Sequence, residues 1–311
     1  MTKSDLHYTS LNFVKLVFVA AFMLLVVSSA VLGQVEGVEH VVILGVDGMS
    51  PDGIQKAPTP HLDKIIENGA FTFHARAVLP TSSSQNWASM IMGAGPEQHG
   101  ITSNKWERDT FVLPPIVTGM ENIFPTIFSI LRQQRPAAKI GVFYDWSGFG
   151  RLFEKSAVDV EMDTKGPEKT IEEAIKYIKN EKPDLTFIHL DHVDHAGHEF
   201  GHGTDEYYRA VEETDKLVGE LLEGFKTAGI ADKTVLIITA DHGGQGKGHG
   251  GETLAEIETP WIAYGVGVKK GREIMDPVNI YDTASTAAYL LGLKQPFAWI
   301  ARPVLSAFEN K

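Results

Sequence analysis

The segment ADHGGQGKGHGGE, residues 240–252, sets Asp241, His242 and His249 among six glycines. One carboxylate and two imidazoles are the donor types that hold a borderline divalent cation, and glycine lets the backbone turn tightly enough for them to meet one ion. The same composition also describes a solvent-facing turn carrying polar residues. A second cluster is HLDHVDHAGHEFGHG, residues 189–203, where Asp191/His195, Asp194/His198 and His198/His202 share a four-residue spacing. Of the two Asp/His pairs, only the one ending at His198 has a glycine directly before the histidine, which predicts a tight turn at Gly197. Spacing by itself leaves the pairs unresolved, and His189, His192, His195 and His202 read as core or surface histidines. The chain has no cysteine, so a metal site here is built from oxygen and nitrogen, which suits Zn or Mn.

A third segment, LPTSSSQNWASMIMGAGPEQHGITSNKW from Leu79, places Thr81, Ser82, Ser83 and Ser84 just before a helical pattern. One of these hydroxyls is expected to serve as the N-cap. A hydroxyl at a helix N-terminus also sits where backbone N–H groups and the helix dipole favour an anion, and beside a divalent ion a serine becomes a nucleophile without a histidine base.

The elements that must position these groups are legible as alternating patterns. Apolar runs at HVVILGVDGM (from His40), KIGVFYDW (Lys139), DLTFIHLD (Asp184), TVLIITAD (Thr234) and PWIAYGVG (Pro260) predict buried strands. Helical patterns begin at Thr59, Ser84, Thr126, Pro167, Asp205 and Tyr281. Strands alternating with helices predict an α/β fold with a mostly parallel sheet covered on both faces. In such sheets ligands bind outside the carboxyl ends of the strands. Asp47, Asp191 with Asp194, and Asp241 with His242 all follow predicted strands, so three separated segments deliver acids and imidazoles to one edge.

Lys3 and Lys15 precede or flank an apolar run from Leu16 to Val27, followed by Ser28, Ser29 and Ala30. This predicts a secretory leader over 1–33 and a single domain over 34–311, with an uncleaved anchor helix as the alternative. A secreted or periplasmic location follows, or membrane anchoring through that helix; no later stretch reaches transmembrane length. The formal charge of −12 becomes about −13 without the leader, which argues against a nucleic-acid groove and is compatible with a cation site.

The order GVDGM, PTSSSQNW…GAGPEQHG, D-H-A-G-H and ADHGG…GHGG resembles the alkaline phosphatase superfamily, and within it the type I phosphodiesterase and nucleotide pyrophosphatase family, from about Val41 to beyond His249. The resemblance implies an alkaline-phosphatase-like three-layer αβα sandwich. It implies two divalent ions, zinc or manganese: one held by Asp194, His198 and His249, the other by Asp47, Asp241, His242 and the Ser83 oxygen. It makes Ser83 the nucleophile and places the family's asparagine on Asn86, one turn further along the helix, as an amide donor to a phosphoryl oxygen. Three aspartates and an ionised serine then neutralise two divalent ions before an anionic ester arrives.

The implied partner is a small phosphate ester, and a neutral Asn86 in place of an arginine favours a diester. A phosphomonoesterase or phosphonate hydrolase is the alternative, and a non-catalytic metal- or phosphate-binding protein is the alternative of another class. SSSQN lacks the Pro and Arg of a sulfatase nucleophile motif. Ser84 and Gln85 stand where the familiar nucleotidases carry a base-stacking aromatic, which puts a nucleotide substrate in doubt. Trp87, Trp106, Trp146 and Phe149 read as core packing, with a substrate pocket as the alternative, and Lys247 as a solvated loop lysine.

Overall fold

In the strand His40–Val46, Val41 and Ile43 pack into one hydrophobic core while Val42, Leu44 and Val46 pack into another. A strand buried on both faces shows no polar alternation, which is why HVVILGV reads as an unbroken apolar run. The computed structural model describes residues 35–309; the expected leader over 1–33 lies outside the described residues.

Eight strands form one sheet: β1 (His40–Val46), β2 (Ala70–Arg76), β3 (Ile140–Tyr144), β4 (Val160–Asp163), β5 (Leu185–Leu190), β6 (Thr234–Thr239), β7 (Glu258–Gly265) and β8 (Arg272–Glu273). Their order is β4-β3-β5-β1-β6-β7-β2-β8. The run from β4 to β6 is parallel throughout, and β7 is antiparallel to both β6 and β2. The five strands read from apolar runs are β1, β3, β5, β6 and β7. The others lack such a run: β4 is the exposed acidic edge VEMD, and β2 alternates buried with exposed positions.

Helices Ser83–Met92, Ile127–Gln134 and Asp282–Leu290 cover one face of the sheet, and Pro60–Glu67, Pro167–Glu181, His192–Phe200 and Asp205–Ala228 cover the other, giving the three-layer αβα architecture. The longest is delimited at both ends. Thr204 accepts a hydrogen bond from the Tyr207 N–H at 3.3 Å, Asp205 and Glu206 occupy the first turn, and Gly229 ends it at φ +69°. Among the described residues, no helix is long and apolar enough to cross a membrane.

The contact between β1 and the helix Ser83–Met92 is unusually close. The outer edge of the Trp87 ring presses on Gly45, where a Cβ would stand 2.3 Å from a ring carbon. Only glycine lets the indole descend this far toward the sheet.

Candidate functional site

β5, β1 and β6 are neighbours, and each leads at its carboxyl end into residues singled out above. Asp47 directly follows β1, and its N–H donates to the Leu190 carbonyl at 2.7 Å. Its side chain is buried, with Oδ2 accepting from the Trp87 indole N–H at 2.9 Å. Asp241, two residues beyond β6, is fully buried, and its Oδ1 accepts from the N–H groups of Gly48 (3.2 Å) and His242 (2.9 Å). Asp194 and His198 come from the segment after β5. That segment is a helix, His192–Phe200, so the pair meets as i and i+4 on one helical face, Oδ2 to Nε2 3.2 Å, and not through the tight turn expected at Gly197. Gly197 serves packing instead: a Cβ there would lie 2.4 Å from the His202 ring.

The returning glycine loop brings His249 alongside. Its ring stacks on His242 with centroids 3.8 Å apart, and its Nε2 lies 3.1 Å from His198 Nε2. Three backbone carbonyls then decide where the imidazole lone pairs point. Nδ1 of His242 lies 2.8 Å from the Gly243 carbonyl, Nδ1 of His249 2.8 Å from that of Thr81, and Nδ1 of His198 3.0 Å from that of Lys247. A carbonyl only accepts, so each Nδ1 carries a proton, and each ring in its neutral form turns a bare Nε2 inward. His242 Nε2 faces Asp241 Oδ2 at 3.2 Å, Asp47 Oδ1 at 3.4 Å and Ser83 Oγ at 3.4 Å. His249 Nε2 faces Asp194 Oδ1 at 3.7 Å.

With the rings neutral, acceptors converge on acceptors. Asp47 Oδ1, Asp194 Oδ1 and Asp241 Oδ2 are buried without a hydrogen-bond partner among the described residues. Burial, then the neighbouring aspartates, pushes the Asp47 carboxyl up to about 6 and that of Asp241 up to about 8. Burial acts the same way on Asp194, but the hydrogen bond from a protonated His198 Nε2, with the positive charge that His242, His249 and His198 carry when protonated, outweighs it and holds the group down at about 2. Cations resolve such a set. Two groups of donor atoms lie close enough together to share an ion: Asp194, His198 and His249, and Asp47, Asp194 and His242. The first is the expected trio. The second includes Asp194 where the expected set has Asp241, whose Oδ2 borders it through His242.

Ser83 is the first residue of its helix, and Ser82 occupies the N-cap position without a side-chain capping bond. Asn86 departs from the expectation of a phosphoryl donor. It is fully buried, its Oδ1 accepts from the Val78 N–H at 2.7 Å, and its Nδ2 donates to the carbonyls of Ser82 (2.9 Å), Val78 and Pro80 (both 3.3 Å). The amide is spent on holding the loop 78–82. Asn104, missed in the sequence, stands at the helix start instead: its Oδ1 accepts from the Ser84 N–H at 2.8 Å, and its side chain is exposed. It sits on an irregular loop after HGIT, so no periodicity relates it to Ser83.

Arg151 was likewise missed, and its Nη2 lies 3.5 Å from Ser84 Oγ. Lys247 donates to the Glu199 carbonyl at 2.8 Å, away from the aspartates. Trp87, Trp106 and Phe149 are buried in the core, and Trp146 is half-buried, stacked on His189. Of the four histidines set aside, His192 meets Ala210 and Thr214, and His195 is exposed beside Glu199. His202 packs on Tyr207. His189 is wholly buried between Asp47 and Asp145, its ring nitrogens 3.5 Å from each carboxylate.

Residues 41–247 match the family model for type I phosphodiesterase / nucleotide pyrophosphatase. A venom phosphodiesterase of Macrovipera lebetinus is 26% identical over 201 residues, covering 59% of this chain and 23% of that protein. The mouse bis(5'-adenosyl)-triphosphatase of the same group is 24% identical over 223 residues, covering 66% of this chain and 47% of that one. The chain thus spans less than half the length of these relatives. Among solved structures, murine ectonucleotide pyrophosphatase/phosphodiesterase 5, inactive and in complex with AMP, superposes with a TM-score of 0.68 at 18% identity, covering 82% of this chain and 96% of that one. A 2-O GAG sulfatase gives 0.65 at 16% identity, covering 85% and 73%. At these identities the two structures speak for the fold.

Proposed function

Because this chain belongs to the type I phosphodiesterase / nucleotide pyrophosphatase family, we propose that it is a metal-dependent phosphodiesterase that works through a phosphoserine at Ser83. The observation that carries this reading is the inward convergence of bare imidazole nitrogens and partnerless carboxylate oxygens beside the Ser83 hydroxyl. Asp194, His198 and His249 hold one divalent ion; Asp47, Asp241, His242 and the Ser83 oxygen hold the second, with Asp194 at the boundary. Zinc suits the mixed nitrogen and oxygen donors, with manganese as the alternative. Bound there, such ions would supply positive charge to the ionised serine and the ester oxygens.

Ser83 Oγ attacks phosphorus, the bond to the leaving alcohol breaks, and the phosphoryl group stays on Ser83. Water then displaces it, releasing phosphate monoester and restoring the serine. Asn104, anchored through its Oδ1, offers its Nδ2 hydrogens to a phosphoryl oxygen, the task first read onto Asn86. Asn86 keeps the turn before Ser83 in shape. The leader expected over 1–33 directs the protein to a secreted or periplasmic location.

The test is hydrolysis of bis-p-nitrophenyl phosphate, p-nitrophenyl phosphate and p-nitrophenyl sulfate by metal-free and zinc-loaded protein, with Ser83→Ala as control. The expected result is zinc-dependent cleavage fastest on the diester and lost in the variant. Preference for the monoester would replace the diesterase reading, and no turnover of any ester would favour a binding role.

A further inference from the structure

Arg151 reaches Ser84, the residue after the candidate nucleophile, and it is held in place from several sides. Its Nε donates to the Gly148 carbonyl at 3.3 Å and its Nη2 to the Asn104 carbonyl at 3.0 Å and to Ser84 Oγ at 3.5 Å. Its own carbonyl accepts from Arg108 Nε at 3.1 Å, which ties the backbone down as well. Nη1 donates to Glu107 Oε1 at 2.7 Å. The two ends of that ion pair differ: the Arg151 side chain is 24% exposed and that of Glu107 57%. A fixed guanidinium thus faces a carboxylate that sits mostly in water and is cheaply displaced, since exposed ion pairs are worth little.

The surroundings do not suit a nucleobase. Ser84 and Gln85, next to the nucleophile, are fully buried, Gln85 Nε2 donates to the Pro80 carbonyl, and the large aromatics nearby, Trp87 and Phe149, are packed in the core with no free face. What does gather there is a guanidinium and the outer amide of Asn104. Those are donors for an oxyanion.

We propose that Arg151, with Asn104, forms an anion-recognising subsite beside Ser83, so that the preferred ester carries a second negatively charged oxygen group, a carboxylate or another phosphate, on the alcohol attached to the scissile phosphate. Glu107 occupies the guanidinium in the free protein and yields to that group. This rests on the phosphodiesterase reading for its biological meaning, and it is tested by binding so that the two stand or fall separately.

The experiment is titration calorimetry on zinc-loaded Ser83→Ala protein, which does not turn substrate over, with methyl phosphate, phosphoglycolate and ethylene glycol bisphosphate. The three probes share a phosphoryl group and differ in the far substituent. The expected result is binding about tenfold or more tighter for at least one charged probe than for methyl phosphate. Which of the two gains identifies the group as carboxylate or phosphate. Arg151→Gln, which keeps an N–H donor for the Asn104 carbonyl, should abolish the gain while leaving methyl phosphate unchanged, and Glu107→Gln should enlarge it. Equal affinity for the three probes, no binding of any of them, or a gain that survives in Arg151→Gln overturns the subsite. If wild-type protein hydrolyses no ester while these affinities hold, the subsite stands and the phosphodiesterase reading falls.

Discussion

Replacing Gly45 by alanine tests how the sheet carries the site. The added Cβ would stand 2.3 and 2.5 Å from two carbons of the Trp87 ring, whereas carbon atoms pack at about 3.5–4.0 Å, so the indole must retreat by roughly 1 Å or more. Neither partner has room, because β1 is bracketed by β5 and β6 and Trp87 is fully buried against Phe149 and Phe187. Overpacking of this kind costs about 1–3 kcal/mol, and the upper part of the range applies to so rigid a contact. The retreat also draws the indole N–H away from Asp47 Oδ2, so zinc affinity falls along with stability. Urea unfolding of metal-free Gly45→Ala, Trp87→Phe and the double variant reads the first effect, and zinc titration reads the second. The smaller ring should make room for the methyl, so the double variant is less destabilised than the two single changes add up to, by about 1–3 kcal/mol of coupling. It should not regain zinc affinity, since phenylalanine has no N–H to give Asp47. Additive losses in stability would refute the idea that ring and methyl compete for one space.

Asn86→Ala should destabilise the protein by about 2–3 kcal/mol, from the loss of several buried hydrogen bonds, with little effect on catalysis beyond that, whereas Asn104→Ala should cost about 1 kcal/mol, from the unpaired Ser84 N–H, and lower kcat/KM by about 10²–10³-fold; a large kcat/KM loss in stably folded Asn86→Ala but not in Asn104→Ala would return the phosphoryl contact to Asn86. His99 is buried, accepts from the Ile101 N–H at Nδ1 and pairs Nε2 with Ser89 Oγ, and burial holds its pKa down at about 3. The unfolded chain therefore binds a proton that the folded one refuses, and stability should drop by about 1.4 kcal/mol per pH unit as pH falls from about 6.5 toward 3. Denaturant midpoints measured across that range should fall less steeply for His99→Gln than for the parent.

The interior of the fold was legible because strands buried on both faces cannot hide: β1, β3, β5, β6 and β7 each carry an apolar run. β2 and β4 were not, since their residues alternate or face water and their strand character comes from pairing with neighbours. The convergence of Asp47, Asp194, His198, Asp241, His242 and His249 followed from strand ends and motif order together. Their finer geometry did not. A glycine before His198 suggested a turn, yet the residues around it propagate a helix and Gly197 answers to the distant His202 ring. Asn86 and Asn104 show the same limit. Helical spacing puts Asn86 on the nucleophile's face, but a side chain spends its hydrogen bonds wherever backbone groups need them, and the loop 78–82 claimed this one. Asn104 meets Ser84 from an irregular loop and Arg151 from a single 3-10 turn, Phe149–Arg151, both too short for a period to tie position in the chain to position in space.

The placement of β1 between β5 and β6 also sets the order in which the molecule can assemble. Val41 pairs with Leu185 on one side and with Val235 on the other, so the first strand of the sheet waits for the last third of the chain before its ladder closes. Contacts so far apart in sequence close slowly, and an unpaired HVVILGV is sticky in the interval. Asp47 reaches the other ligands only when that ladder is complete. On the proposed metal-dependent reading, metal capture would be a late folding event, and in refolding the onset of tight zinc binding should lag behind the recovery of helical circular dichroism.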